Sequence, residues 1–199
     1  MSLLLVRWIN TTHSSHLFAI FGAEHVNTIK KETLFSSISE IASKYNVKIQ
    51  IFNPTLIAGW EHLYFSAIHA IMAFENGYNI SKKLEMEVLL YSIGKRQIKE
   101  AVKIMGVPND TSNLVCIIIA PSSITIPELS SIKNEILTKI HCFENDVHYS
   151  VSDKKIPSIK RVFQISDAEL SIVQTTLKKL DISITHCVLE RLSLLPLSI

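Results

Sequence analysis

Glycine is scarce in this 199-residue chain. There are five, Gly22, Gly59, Gly77, Gly94 and Gly106, no two closer than 12 positions. Phosphate loops of the Walker and dinucleotide types need tightly spaced glycines, so both are excluded. Cysteine is scarcer still. Cys116, Cys142 and Cys187 are scattered and odd in number, which implies no disulfide framework and points to a reducing, intracellular setting. Long apolar runs are missing too. The longest is residues 114–120, closed by Pro121, whereas a membrane span takes about 20 apolar residues. The opening stretch 1–6, followed by Arg7, is too short and lacks the basic lead-in of a secretory signal. A cytoplasmic protein without membrane contact is therefore expected. Charge bias is also small: 20 Lys+Arg against 18 Asp+Glu gives +2. That balance argues against coating nucleic acid by bulk charge, but it permits a local basic patch.

What is present in excess is apolar side chain, 47% of residues, with a mean hydropathy of +0.26. The length suits one domain with a real core. No repeat or Pro/Ser-rich linker divides it, so residues 1–199 read as a single domain.

Residues 3–9 and 17–21 read as strands joined by a polar turn. Leu34, Ile38, Ile41 and Ala42 recur at helical spacing within 33–45. Val47, Ile49 and Ile51 alternate with Lys48 and Gln50, as in a half-buried strand that Asn53-Pro54 stops. Residues 61–76 are apolar nearly all round, which predicts a central helix ended by Gly77. Ser81 is placed to cap a helix over 82–92. Gly94 interrupts the pattern, and a further helix runs to Met105 with Ile98, Ala101, Val102 and Met105 on one face. A buried strand is expected over 113–119. Pro127 then opens a helix carrying Leu129, Ile132, Ile136 and Ile140. Short strands are expected at 147–151 and 161–165, and Ser166 to Glu169 fits a capping box before another helix. The tail, 182–195, suits strand and helix equally. The sum is an α+β domain, a small mixed or antiparallel sheet packed against several helices.

Catalytic chemistry finds no pattern. His62 and His69 are seven apart, where zinc ligands on one helix stand three or four apart, and nothing completes the set. His141-Cys142 and His186-Cys187 are sequence neighbours whose side chains diverge. Glu85 and Glu87, two apart, face different ways on a helix. No metal, cofactor or enzymatic activity is expected.

One stretch stands out. Lys95, Lys99 and Lys103 recur every four residues with Arg96 beside them, and only Glu100 intervenes. Like charges so placed cost one another roughly 0.2–0.5 kcal/mol per pair on a helix. Lys82 and Lys83 would join them if the two helices form a hairpin. Residues 94–97 also precede a helix, where free amides favour an anion. A lysine-rich solvated face is the plain alternative to a phosphate-tracking patch. Trp60, Tyr64, Tyr78 and Tyr91 are the nearby aromatic rings.

Several segments occur in a recognisable order: Asn53-Pro54 with Ile57-Ala58-Gly59, Glu61-His62-Leu63, Gly77 to Ser81, Leu84 to Tyr91, Gly94-Lys95-Arg96-Gln97-Ile98, and Met105-Gly106-Val107. Together they resemble the small kinase-binding, tRNA-recruiting subunit of the KEOPS complex, the Cgi/TPRKB family. Residues 53–107 carry the resemblance most strongly, and Val188 to Leu195 resembles the family's C-terminal segment. Ile93 departs from it, since archaeal members often have Ser before the glycine.

The resemblance implies a non-catalytic subunit without cofactor. It would bind the N-lobe of a Bud-type kinase/ATPase and the single-stranded 3′ CCA end of tRNA, and so act indirectly with the threonylcarbamoyl transferase subunit. On that basis Asn79, Lys82, Lys83, Lys95, Arg96, Gln97, Lys99 and Lys103 are candidate RNA contacts. Val188, Arg191, Leu192 and Leu195 are candidates for the kinase face, and part of the apolar surplus is expected to serve that contact. Two readings stand beside it: a small-molecule or enzymatic pocket around His62, His69 and Tyr91, and a protein-interaction subunit without RNA binding.

Overall fold

The computed structural model describes residues 4–25, 30–109 and 112–194. Five strands form one sheet: β1 Leu5–Asn10, β2 Ser15–His25, β3 Lys48–Phe52, β4 Asn113–Pro121 and β5 Cys142–Glu144. Every pairing is antiparallel, in the order β1-β2-β4-β3, and β5 pairs with the end of β2 that β1 leaves open. The α+β class is as expected, with a purely antiparallel sheet. Eight helices lie among the described residues: α1 Lys31–Tyr45, α2 Trp60–Glu75, α3 Leu84–Tyr91, α4 Ile98–Met105, α5 Ile126–Lys139, α6 Ile156–Phe163, α7 Asp167–Leu177 and α8 Leu180–Ser193.

The sheet is covered on both faces, and this is where the apolar surplus goes. Successive strand residues point to opposite sides. Leu17, Ala19 and Phe21 of β2 pack with Leu34 of α1 and Ile132 of α5. Phe18 and Ile20 face the other way, into a larger core with Leu63 of α2 and Ile184 of α8. The unbroken run in β4 follows from the same arrangement, for it is central and buried throughout. Lys133 of α5 is buried too, its Nζ 2.8 Å from Glu144, which fastens β5 to the helix.

Several expectations change. Residues 147–151 are not a strand, since a 3-10 turn covers Asp146–Tyr149. Residues 161–165 fall at the end of α6, whose buried Ile159 and Phe163 keep helical spacing behind Pro157. The three-residue β5 was too short to show a period. The ambiguous tail is helical because Ile184, Val188 and Leu192 all reach the core. The helix expected over 82–92 begins at Leu84 with no side-chain cap. Ser81, itself buried, instead accepts a hydrogen bond from Lys83 N.

Candidate functional site

The pocket expected around His62, His69 and Tyr91 is filled. His62 is fully buried, its Nδ1 accepting from Ala58 N at 3.1 Å and its Nε2 donating to Ser92 O at 2.7 Å. Burial pulls its pKa down to about 4, against the opposing hydrogen bond to Ser92. His69 lies against Phe65 and stacks on Tyr91 at 5.6 Å between ring centres. Among the described residues, no three His, Cys, Asp or Glu side chains gather around a point where a metal could sit. The three cysteines are unpaired and buried, and burial raises the thiol pKa of each. Their neighbours His141 and His186 are exposed, so neither His–Cys pair meets.

The basic stretch divides. Gly94, at φ 65, turns the chain after α3, and α4 does not begin until Ile98. Lys95, Arg96 and Gln97 thus lie in the connecting loop, and only Lys99 and Lys103 share the helix. Lys95 Nζ is 3.2 Å from Glu100. Arg96, Lys99 and Lys103 are exposed and have no carboxylate partner among the described residues. Ile98 and Val102 of the expected apolar face are also exposed, leaving Ala101 and Met105 to anchor α4.

Before α3, the loop 79–81 is braced from within. Glu87 is fully buried, and its carboxylate accepts from Ile80 N and Ser81 N. Asn79 Nδ2 donates to Ser81 O. Asn79 therefore holds the loop, and the loop presents Lys82 and Lys83 outward.

Those two lysines line a groove of about 1060 Å³ that follows the open edge of β3, between α1 and the α2–α3 layer. Lys48 from β3 joins them, and Phe35 of α1 and Phe74 of α2 supply aromatic walls. Glu85 is an acid on the same rim, and Glu75 lines the groove as well. Lys48, Lys82 and Lys83 have no ion-pair partner among the described residues. At one end Glu75 accepts from Thr11 Oγ1 at 2.6 Å and from Ser14 Oγ, while His16 Nε2 is 2.9 Å from that same Ser14 oxygen. Desolvation pushes the Glu75 carboxyl up, but the two hydroxyls outweigh it and leave its pKa below the ordinary range. In a catalytic triad the carboxylate would hold the ring's other nitrogen. Here the serine gives its proton to the acid, so this cluster braces a turn and does not prepare a nucleophile.

Lys48, Phe35 and Phe74 were missed in the sequence because they come from separate segments with no shared motif. The one available signal was Lys48, a charge at the head of an edge strand.

The tail behaves differently from expectation. Val188 and Leu192 fill the chain's own core and have no exposed surface for a partner. Arg191 Nη2 is bound to both carboxylate oxygens of Glu169, at 2.8 and 2.7 Å, and ties α7 to α8. Leu195 lies outside the described residues. The outward side of α8 carries Ile182, His186 and Leu189, which line a second pocket of about 350 Å³ with Trp60, Tyr149 and Val151.

Residues 24–194 match the family model described as kinase binding protein CGI-121. The chain belongs to that family. It is 36% identical over 70 residues to a regulatory protein Cgi121 from Methanocaldococcus jannaschii, a match covering 35% of this chain and 46% of that one. It is 46% identical over 46 residues to a KEOPS complex subunit Cgi121 from Pyrococcus abyssi, covering 23% of this chain and 27% of that one. Each match spans less than half of the relative.

No helix among the described residues is long and apolar enough to cross a membrane.

Proposed function

We propose that the chain is a non-catalytic KEOPS subunit that docks a Bud-type kinase/ATPase on α8 and holds the 3′ CCA end of tRNA in the groove beside β3. The observation that carries the RNA part is the lysine rim. Lys48, Lys82 and Lys83, without an ion-pair partner among the described residues, border a groove with two phenylalanine rings. Its volume is at the upper end of ordinary ligand sites, roughly 300–1,000 Å³, which leaves room for more than one nucleotide. Phosphates would meet the lysines, and unpaired bases would lie on Phe35 and Phe74. Arg96, Lys99 and Lys103 add exposed cations in the loop and helix that follow α3, outside the groove lining, and Gln97 adds an exposed amide there. Lys95 contributes less, since Glu100 already answers its charge.

The kinase contact takes the outward face of α8, since Val188 and Leu192 are enclosed. Ile182 is 41% exposed and, with Leu189, supplies the apolar surface. The threonylcarbamoyl transferase subunit is reached through the kinase.

Binding of intact tRNA should be compared with tRNA lacking its CCA end. Loss of affinity on truncation supports end recognition, and equal affinity overturns it. Reversing Lys48, Lys82 and Lys83 to Glu should weaken binding by about 100-fold and reduce the salt slope. Normal binding by this variant would move the RNA elsewhere.

A further inference from the structure

The pocket beside α8 has a chemistry that the docking face as a whole does not share. Trp60 and Tyr149 supply aromatic walls, Ile182 and Leu189 supply aliphatic ones, and two carboxylates, Glu61 and Asp181, also line it. Each acid stands in the first turn of its helix, α2 or α8, where the amide ends favour a negative charge. Gly59 makes room for one of them. Its φ of 93 turns the chain into α2, and a Cβ there would come within 2.8 Å of Glu61 Oε2. The carboxylate thus lies over the glycine, beside the Thr185 hydroxyl.

Neither carboxylate has an ion-pair or hydrogen-bond partner among the described residues. Two cations near the pocket wall, Arg7 and Lys155, are already engaged, and His186 lines the pocket itself. The Arg7 guanidinium sits 4.9 Å from the centre of the Trp60 ring. Lys155 Nζ donates to His148 O and Ser150 O at 2.5 and 2.8 Å, behind the pocket wall. Burial and the nearby Asp146 and Glu144 carboxylates push the Tyr149 hydroxyl up to about 12, so it remains a neutral wall and a donor.

We infer that this pocket receives an arginine or lysine side chain of the protein that docks on α8. The aliphatic stem of such a residue covers apolar wall, its cation meets the aromatic faces, and Glu61 and Asp181 answer its charge with charge-assisted hydrogen bonds. The inference rests on the docking reading above, and the test separates the two.

Calorimetric titration with the purified kinase-like ATPase subunit from the same genome is the measurement, with thermal melts confirming that each variant is folded. Leu189→Glu tests docking on this face. Glu61→Gln combined with Asp181→Asn tests the cation. The expected result is loss of binding with Leu189→Glu and a 10- to 100-fold weaker Kd with the double variant, whose salt dependence also flattens. If Leu189→Glu abolishes binding and the double variant keeps both its Kd and its salt dependence, the cation pocket is overturned while docking stands. If Leu189→Glu binds normally, both fall.

Discussion

The two clefts differ in almost every property that decides what a surface meets. The groove beside β3 is large and rimmed by lysines that have no ion-pair partner among the described residues. The pocket beside α8 is a third of the size, aromatic, and carries two carboxylates without a partner among the described residues. A net charge of +2 conceals this separation. The difference teaches that charge placement, and not charge total, sorts the partners. On the proposed reading a polyanion would be drawn to one side, and a protein offering a basic side chain would fit the other.

His62 joins the small pocket to the basic loop after α3, which lies outside the groove lining. Its ring ties Ala58, which leads into the α2 edge of the small pocket, to Ser92, just before the Gly94 turn and the basic loop. Damage to this link should therefore reach the small pocket and the basic loop together, whereas damage to the groove rim should stay local.

The largest effect expected concerns the two sides of α8. Leu192→Glu places a carboxylate in the core and should unfold the protein or destabilise it by more than about 4 kcal/mol. Leu189→Glu, one turn away and partly exposed, should melt within a few degrees of the parent. Similar melting temperatures for the two would erase the distinction between core and docking side.

Next is the pH dependence of His62. Its folded pKa of about 4 lies below the ordinary 6.5, so the native state binds fewer protons than the unfolded chain. Its contribution is therefore complete above pH 6.5 and is lost as pH falls towards 4. The slope in that window is about 1.4 kcal/mol per pH unit, of order 3 kcal/mol in all. Urea unfolding of the parent and of His62→Gln at several pH values isolates it, since carboxylates contribute alike to both. An unchanged slope in the variant would free His62 from this role.

The smallest effect is at Arg191. Its pair with Glu169 is partly exposed, with side-chain accessibilities of 32% and 25%, so Arg191→Ala should cost about 1 kcal/mol or less. It should leave kinase affinity unchanged, because the guanidinium braces α7. A large loss of affinity at full stability would restore Arg191 to the interface.

Much of the fold is legible in the sequence wherever a period repeats several times. The α5 pattern behind Pro127 and the apolar run of β4 each appear where expected, because burial on a fixed face leaves its mark at every turn or alternate residue. Gln50 shows the limit. Its alternation with Ile49 and Ile51 reads as exposed, yet it is buried and its amide donates to Ile51 O at the open side of β3. Glu87 shows another, since nothing in the spacing reveals a buried carboxylate gripping the amides of a loop seven residues back. The lysines at 82 and 83 could be read from sequence, but the groove they border could not. Phe35, Lys48 and Phe74 meet there only through the packing of α1, β3 and α2. For the tail the apolar periodicity was visible, but periodicity alone does not say whether a face meets the chain's own core or a partner, and Val188 and Leu192 meet the core.

The most direct test of two separate surfaces is a crossed set of dissociation constants. The Lys48, Lys82 and Lys83 to Glu variant and the Leu189→Glu variant would each be titrated with tRNA and with the kinase-like subunit. The account predicts that the lysine variant loses tRNA and keeps the kinase, and that Leu189→Glu does the reverse. A folded variant of either kind that loses both ligands would contradict it.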